Sequence, residues 1–326
     1  MQQVNLKSKK RFAAFYTLPS IWVKQPITFD ESIMESNYVY SRPELLNKMS
    51  AVVHEYPSQD GKFLIQVCQD GLIMFTDQEL ANHKDIFEKW RYALKPLNIL
   101  YMLVDGYFFS ENNNFSYFQY QHLRKNDVVQ PSYTREEFLG FAGPIQSYAY
   151  SPSSARVLIT FNKDDGFWND ERIKDRKTVN LEILDKAAET FEKIYNGKLL
   201  NLAYIFSLAV SELKENQNEL STVHSWTVLE EIIKTRYVGS SSSIKKLLSP
   251  KKISARKQIN VLRLSGDRKR YKAIQRVLDK RNKYLHHQTP ISIEAAGKAL
   301  NVCRDEFEHQ YGIVLNYNPV VTASGL

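Results

Sequence analysis

The amino-acid sequence predicts an α+β protein in which a β-rich N-terminal domain precedes an all-α antiparallel helical bundle. The chain has 326 residues, about twice the length of a typical single domain, so two domains are expected. Short apolar or alternating runs dominate up to Phe161, whereas beyond about Thr178 apolar residues recur every three or four positions. We therefore expect a sensor or binding domain at 1–162, a linker at 163–177, the bundle at 178–312 and a tail at 313–326.

The N-terminal domain is expected to consist mainly of strands. Gln69, Asp70 and Gly71 separate two apolar runs, which indicates a β-hairpin. One helix is expected to interrupt the strands around 78–93. Further strands are predicted at 98–104, 107–110, 115–122 and 156–161.

Aromatic residues are concentrated at 101–120, where eight of 20 residues are Tyr or Phe. They offer either a stacking platform for bases or sugars, or the filling of strands and a sheet core. The second interpretation is favoured because no RNA-recognition signature accompanies them.

The C-terminal half has a helical period throughout. Pro290 ends a long basic helix near His287, because proline restricts the residue before it and cannot donate a backbone hydrogen bond. Ser221 or Thr222 is expected to cap the helix that ends near Gly239. The other helices are expected at 181–195, 199–215, in short pieces within 244–264, and at 293–310 with Ala296, Leu300, Val302 or Cys303, and Phe307 inward.

The positive charge of the chain is local. Residues 234–283 contain 17 Lys or Arg against two acids, a net +15, whereas the whole chain is only +8 and the remainder is therefore −7. A concentrated basic segment of this kind indicates a polyanionic partner.

Other features narrow the class of protein. Cys68 and Cys303 lie far apart without ligand-like neighbours, so neither a disulfide framework nor a zinc site is expected. No long apolar segment and no secretory signal is recognised, which favours a cytoplasmic protein with no membrane partner. No Walker loop, dinucleotide-binding turn or metalloprotease motif occurs, and we expect no metal and no cofactor.

Three residues of the basic helix form a candidate site. On a helix Asn282 and His286 are separated by about 40°, and Arg281 and His286 by about 140°, a gap that the long arginine side chain narrows. Histidine exchanges protons near neutral pH, and arginine binds phosphate oxygens with two donors. The same residue types also occur as helix-terminal dipole partners and surface ion pairs.

A helical bundle whose late helix carries Arg-Asn-x-x-x-His near its end resembles the HEPN superfamily, especially its Apea-like ribonuclease branch, over residues 180–312. The resemblance implies that Arg281 and His286 are catalytic, that Asn282 is the polar residue beside the arginine, and that two chains form one composite cleft as a homodimer. It also suggests Glu230 as a supporting acid. Gln288 stands where a related toxin group has a modified tyrosine.

The sequence thus favours a metal-independent endoribonuclease of a prokaryotic defence or toxin type, with an N-terminal domain that binds a trigger ligand or protein. The alternatives are a noncatalytic module that binds RNA or another partner through the basic surface, and a structural adaptor. The residues expected to bind RNA phosphates are Lys269, Arg270, Lys272, Arg276, Lys280 and Lys283.

Overall fold

The computed structural model describes residues 12–17, 21–23, 51–83, 86–111, 120–133, 138–141, 177–240, 255–264 and 266–319. These residues form an α+β protein with a small antiparallel sheet and mostly helices (64% helix, 13% strand). The chain divides into two compact units, Met1–Glu192 and Lys193–Leu326. The division therefore falls later than residue 178, where the sequence pattern changes.

The first unit contains the strands. Their bounds are β1 (Ala13–Phe15), β2 (Trp22–Val23), β3 (Val52–Pro57), β4 (Phe63–Cys68), β5 (Ile73–Asp77), β6 (Pro131–Tyr133), β7 (Phe138–Phe141) and β8 (Thr178–Val179). The main sheet is antiparallel with the order β1-β5-β4-β3, and β2-β8 and β6-β7 form two separate pairs. Strands β4 and β5 confirm the predicted hairpin. Gly71 has φ +83° at its turn, and a Cβ there would lie 2.5 Å from the Ile21 carbonyl oxygen, so only glycine fits.

Helices occupy more of the first unit than the sequence pattern indicated. They are α1 (Gln78–Asn82), α2 (Ile86–Glu111) and α3 (Leu181–Ile194). The strands predicted at 98–104 and 107–110 are wrong, because both runs lie inside α2. A continuous apolar run fits a buried helix as well as a buried strand, and the local pattern does not separate the two. The single helix expected around 78–93 is likewise two helices, with α1 ending at Asn82.

The aromatic segment contributes to the core where it is described. Tyr101 and Tyr120 are fully buried, with ring centroids 5.3 Å apart in an edge-to-face arrangement. Phe108 is buried as well. These rings pack inside the unit and are not an open stacking surface. Residues 115–119 and the strand predicted at 156–161 lie outside the described part of the chain.

The first unit also retains most of the helix expected to open the bundle. Phe191 of α3 packs edge-to-face against Phe63 and Phe75 of the sheet, with centroid distances of 5.2 and 5.8 Å. These contacts explain why the division between the units falls in the last turn of this helix instead of before it.

The second unit is helical in its described residues. Its helices are α4 (Gly197–Lys214), α5 (Asn218–Gly239), α6 (Ala255–Leu264), α7 (Arg268–His287) and α8 (Ile293–Tyr311). The expected cap of α5 is wrong, because this helix begins after Gln217 and encloses Ser221 and Thr222. The Ser221 hydroxyl instead donates to the Ala209 carbonyl of α4 at 2.7 Å, which ties the two helices together.

Ion pairs and capping bonds fix the directions of three helices. Arg236, near the end of α5, contacts Glu306, near the end of α8, and Arg270, near the start of α7, contacts the same carboxylate. At the other end of the bundle, Glu219 of α5 accepts from the Ile291 backbone just before α8 at 2.9 Å. Helices α5 and α8 therefore run in parallel, and α7 runs opposite to both.

Helix α8 contributes the inward residues that its period predicted. Ala296, Leu300, Cys303 and Phe307 are buried, and Cys303, not Val302, takes the inward position. The predicted tail is packed in its described part. Tyr317 lies 5.5 Å from the ring of Phe206 and donates to Asn301 at 2.8 Å. Among the helices that the structure describes, none is long and apolar enough to cross a membrane.

Candidate functional site

Helix α7 is defined at both ends by its own residues. Asp267 caps its start, where the side chain accepts from the Arg270 backbone at 3.2 Å. Gln288 ends it in the left-handed conformation with φ 51°, and its backbone N–H donates to the Tyr284 carbonyl at 2.8 Å. The helix therefore ends before Pro290. These ends place His286 in the last turn.

Arg281 and Asn282 form the inner part of the site. Arg281 Nη1 donates to Asn282 Oδ1 at 2.9 Å, which draws the guanidinium towards the side of the helix that carries His286. Both side chains are half-buried. Arg281 Nε is buried and has no hydrogen-bond partner among the described residues, and none of their carboxylates forms an ion pair with this arginine. The guanidinium is thus oriented by a neutral amide, and no carboxylate in the described part of the chain compensates its charge.

His286 lies on the surface at the end of the same helix. Its ring is exposed and stands edge-to-face to His287, with a centroid distance of 6.4 Å. The structure brings Arg281 to Asn282, and within its described part no hydrogen bond joins His286 to either of them. An exposed imidazole in the last turn of the helix that carries this guanidinium is a group able to exchange protons near neutral pH.

Glu230 does not reach Arg281. Its carboxylate pairs with Lys234 at 3.6 Å, one turn along α5, and Lys234 also pairs with Glu231 at 3.8 Å. Among described side chains no ion pair links Glu230 to the candidate site. No contact among the described residues therefore supports the role suggested for Glu230.

Five of the six predicted phosphate-binding residues are exposed and without a described carboxylate in ion-pair contact. They are Lys269, Lys272, Arg276, Lys280 and Lys283. At about 100° per residue they fall within about 80° of one another and form a single stripe along α7. Uncompensated cations on one face give a local positive potential that attracts phosphates.

Arg270 corrects the sequence prediction. Its Nε and Nη2 donate to Glu306 at 2.7 and 2.5 Å, and its Nη1 lies 3.3 Å from Asp267. Glu306 is only 4% exposed and also accepts from Arg236, whose Nε donates to Gln310 at 2.8 Å. These contacts make Arg270 part of a buried ion cluster, and we remove it from the phosphate-binding set.

The sequence reasoning missed this ion cluster. Its signal was an acid on the inward face of α8, between the buried positions Cys303 and Phe307. Because buried carboxylates are rare unless paired, an acid on an apolar helix face predicts cationic partners on neighbouring helices.

Metal-binding or nucleophilic groups do not add to the site. The described residues contain no cluster of three or more His, Cys, Asp or Glu side chains suited to a metal ion. Cys68 and Cys303 are buried and are not joined in a disulfide, and burial raises the pKa of the Cys303 thiol well above its usual range, with Glu306 adding to the shift.

Comparison with known proteins yields no relative: no family model, no curated protein and no solved structure matches the chain.

Proposed function

We propose that this chain is a metal-independent endoribonuclease of a prokaryotic defence or toxin type, built on a HEPN-like bundle. The observation that carries the proposal is the pairing of Arg281 with Asn282, which orients a guanidinium lacking any described carboxylate five residues before an exposed histidine in the last turn of a basic helix. Arg236 and Arg270 are neutralised by Glu306, whereas no described carboxylate pairs with Arg281, and a half-buried guanidinium without such a partner favours an anionic ligand.

The chemistry follows from the groups present. RNA supplies its own nucleophile, the 2′-OH, which attacks the adjacent phosphorus once its proton is removed. His286 transfers protons, and Arg281 stabilises the charge that develops on the phosphorane. The P–O5′ bond breaks as the leaving oxygen gains a proton, which leaves a 2′,3′-cyclic phosphate and a 5′-hydroxyl. DNA lacks the 2′-OH and is not cleaved.

A homodimer would complete this site. Each chain contributes one copy of Arg281 and His286, and a two-fold contact at the end of α7 brings two copies together. Exposed apolar side chains support a contact there: Leu220, Leu285 and Ile293 are 43%, 46% and 43% exposed at the bundle end that the Glu219–Ile291 bond defines. Burial of this apolar surface between two chains would favour association.

The direct test is RNA degradation by the purified chain in EDTA. Arg281→Ala and His286→Ala are expected to lower the cleavage rate by about 10²-fold to 10⁴-fold, the range for loss of a proton-transfer or charge-stabilising group. His309→Ala is the matched control, because His309 is also exposed in the last turn of a helix, α8. Full activity of both site variants would refute the assignment, and an active monomer would refute the shared cleft.

The basic stripe also supports a second candidate, a noncatalytic module that binds RNA. This candidate predicts salt-sensitive binding with no cleavage product, and unchanged affinity in His286→Ala. Product analysis by gel separates the two, since only an endoribonuclease leaves fragments with cyclic phosphate ends.

A further inference from the structure

We propose that the exposed face of α7 is a track for a single strand of nucleic acid, which holds about five consecutive phosphates on one side of the bond to be cut. Its role in cleavage rests on the proposed endoribonuclease, whereas its binding of a strand does not. The track consists of Lys269, Lys272, Arg276, Lys280 and Lys283.

The spacing of these cations suits one strand. Successive members are three or four residues apart, which is about 4.5–6 Å along the axis, and the whole row spans about 21 Å. This interval is comparable to the separation of successive phosphates along an extended strand. Each phosphate can therefore meet its own cation, and each contact releases condensed counterions.

The burial of α7 argues against a double helix as the ligand. Ile274, Val277 and Leu278 are buried on the opposite side of the helix, so α7 offers a ligand one straight face only. The backbone of an A-form duplex winds away from a straight row within a few base pairs. A single strand is flexible enough to follow the row along its whole length.

The row ends at the proposed catalytic turn. His287 lies about 20° from the centre of the row, and His286 is its neighbour. The only acid between Arg268 and His287 is Asp279, about 60° from the centre of the row and about 20° beyond Lys272 at its edge, against five cations within the row. His286 lies about 80° and Arg281 about 140° from the centre of the row, so a strand that leaves the track must turn around the end of α7 to place its scissile phosphate between them, with its bound nucleotides on one side of that phosphate.

Binding can be measured without cleavage, by using a 15-nucleotide single-stranded oligodeoxynucleotide and fluorescence anisotropy over a range of salt concentrations. For five contacts the slope of log affinity against log salt is expected to be about −3.5, and the matching duplex should bind less tightly. The triple variant Lys272→Gln, Arg276→Gln, Lys280→Gln should reduce this slope by about 2.

The control removes two cations, one exposed and one half-buried, from another helix. Lys298→Gln with Arg304→Gln acts on α8, where each cation pairs with an acid, Glu294 and Asp305 respectively, and the slope should not change. The proposal is overturned if the triple variant retains the full slope, or if the duplex binds as tightly as the single strand. It is also overturned if polyglutamate of equal charge competes as well as DNA, because the surface would then bind polyanions without regard to a strand.

Cleavage tests the position of the track. DNA strands with a single ribonucleotide near the 5′ end, at the centre or near the 3′ end offer one cleavable bond each. We expect rapid cleavage only when about five nucleotides lie on one particular side of that bond, and loss of this dependence in the triple variant. Equal rates at all three positions would overturn the track. Binding with the expected slope but no cleavage of any strand would overturn the endoribonuclease and leave the track intact.

Discussion

Two arginines on one face of α7 have opposite environments. Arg270 and Arg281 are eleven residues apart, which is about 20° around the helix. They therefore point in nearly the same direction but lie at different positions along the helix axis. Arg270 is held by Glu306 and Asp267, whereas Arg281 is held by the Asn282 amide. The first cation joins helices, whereas the second is oriented by a neutral amide and has no carboxylate partner among the described residues.

Helix α8 accounts for this difference. Eleven residues before Glu306, about 20° away on the same face, stands Ala295, and Ala299 follows it one turn later. The end of the bundle that contains Arg281 therefore lacks the carboxylate that neutralises Arg270 at the other end.

The largest expected effect on stability is at Glu306. Glu306→Gln leaves Arg236 and Arg270 without their shared carboxylate, and we expect the free energy of unfolding to fall by about 3–5 kcal/mol. Urea denaturation that follows the unfolding of the second unit measures this fall in the free energy of unfolding. Glu294→Gln, which breaks an exposed pair with Lys298 on the same helix, is the control and should change little. Equal effects of the two variants would show that Glu306 does not hold the helices together.

An enclosed histidine in the first unit gives a pH-dependent contrast to the exposed His286. Burial, with a smaller contribution from the Arg124 charge, lowers the pKa of His122 to about 4. The unfolded chain takes up this proton below about pH 6.5, so stability present above pH 6.5 is lost as the pH falls towards 4. We expect His122 to contribute about 3 kcal/mol to this loss, measured as the difference between wild type and His122→Gln. Identical pH profiles would contradict the enclosure of His122.

Variants of Arg270 and Arg281 are expected to separate an effect on stability from an effect on cleavage. Arg270→Gln removes one of the two partners of buried Glu306 and is expected to cost about 2–3 kcal/mol of unfolding free energy. Arg281→Gln breaks a single bond to a neutral amide and should cost less than about 1 kcal/mol while abolishing cleavage. Thermal denaturation and an RNA assay on both variants measure this. A large loss of stability in Arg281→Gln would make this arginine structural.

The smallest expected change in stability comes from introducing a carboxylate on α8 at the end of the bundle that contains Arg281. Ser292 caps α8 and its hydroxyl accepts from the Ala295 backbone at 3.3 Å, so Ala295→Glu creates a Ser-x-x-Glu capping box. We expect up to about 1 kcal/mol of added stability, because the new acid also lies on the face that Glu306 uses. Cleavage should be lost as Arg281 becomes neutralised. A stable variant with undiminished cleavage would show that Arg281 does not need its uncompensated charge.

Local sequence patterns predicted the structure where the spacing of apolar and turn residues fitted only one type of element. The hairpin at Gly71, the basic helix before Pro290 and the inward face of α8 were all predicted from residue spacing and turn residues. The runs at 98–104 and 107–110 were not, because a wholly buried helix and a buried strand share the same apolar composition.

By itself, the sequence determined the α+β class, the local concentration of positive charge and the choice of Arg281, Asn282 and His286 as candidates. Only the tertiary structure decided which cations are available. Lys269 and Arg270 are neighbours in a basic run, yet one is exposed and the other is bound by Glu306, 36 residues further along the chain. Helix packing brings that carboxylate to Arg270 and not to Arg281, and charge compensation by a distant residue is not encoded in local spacing.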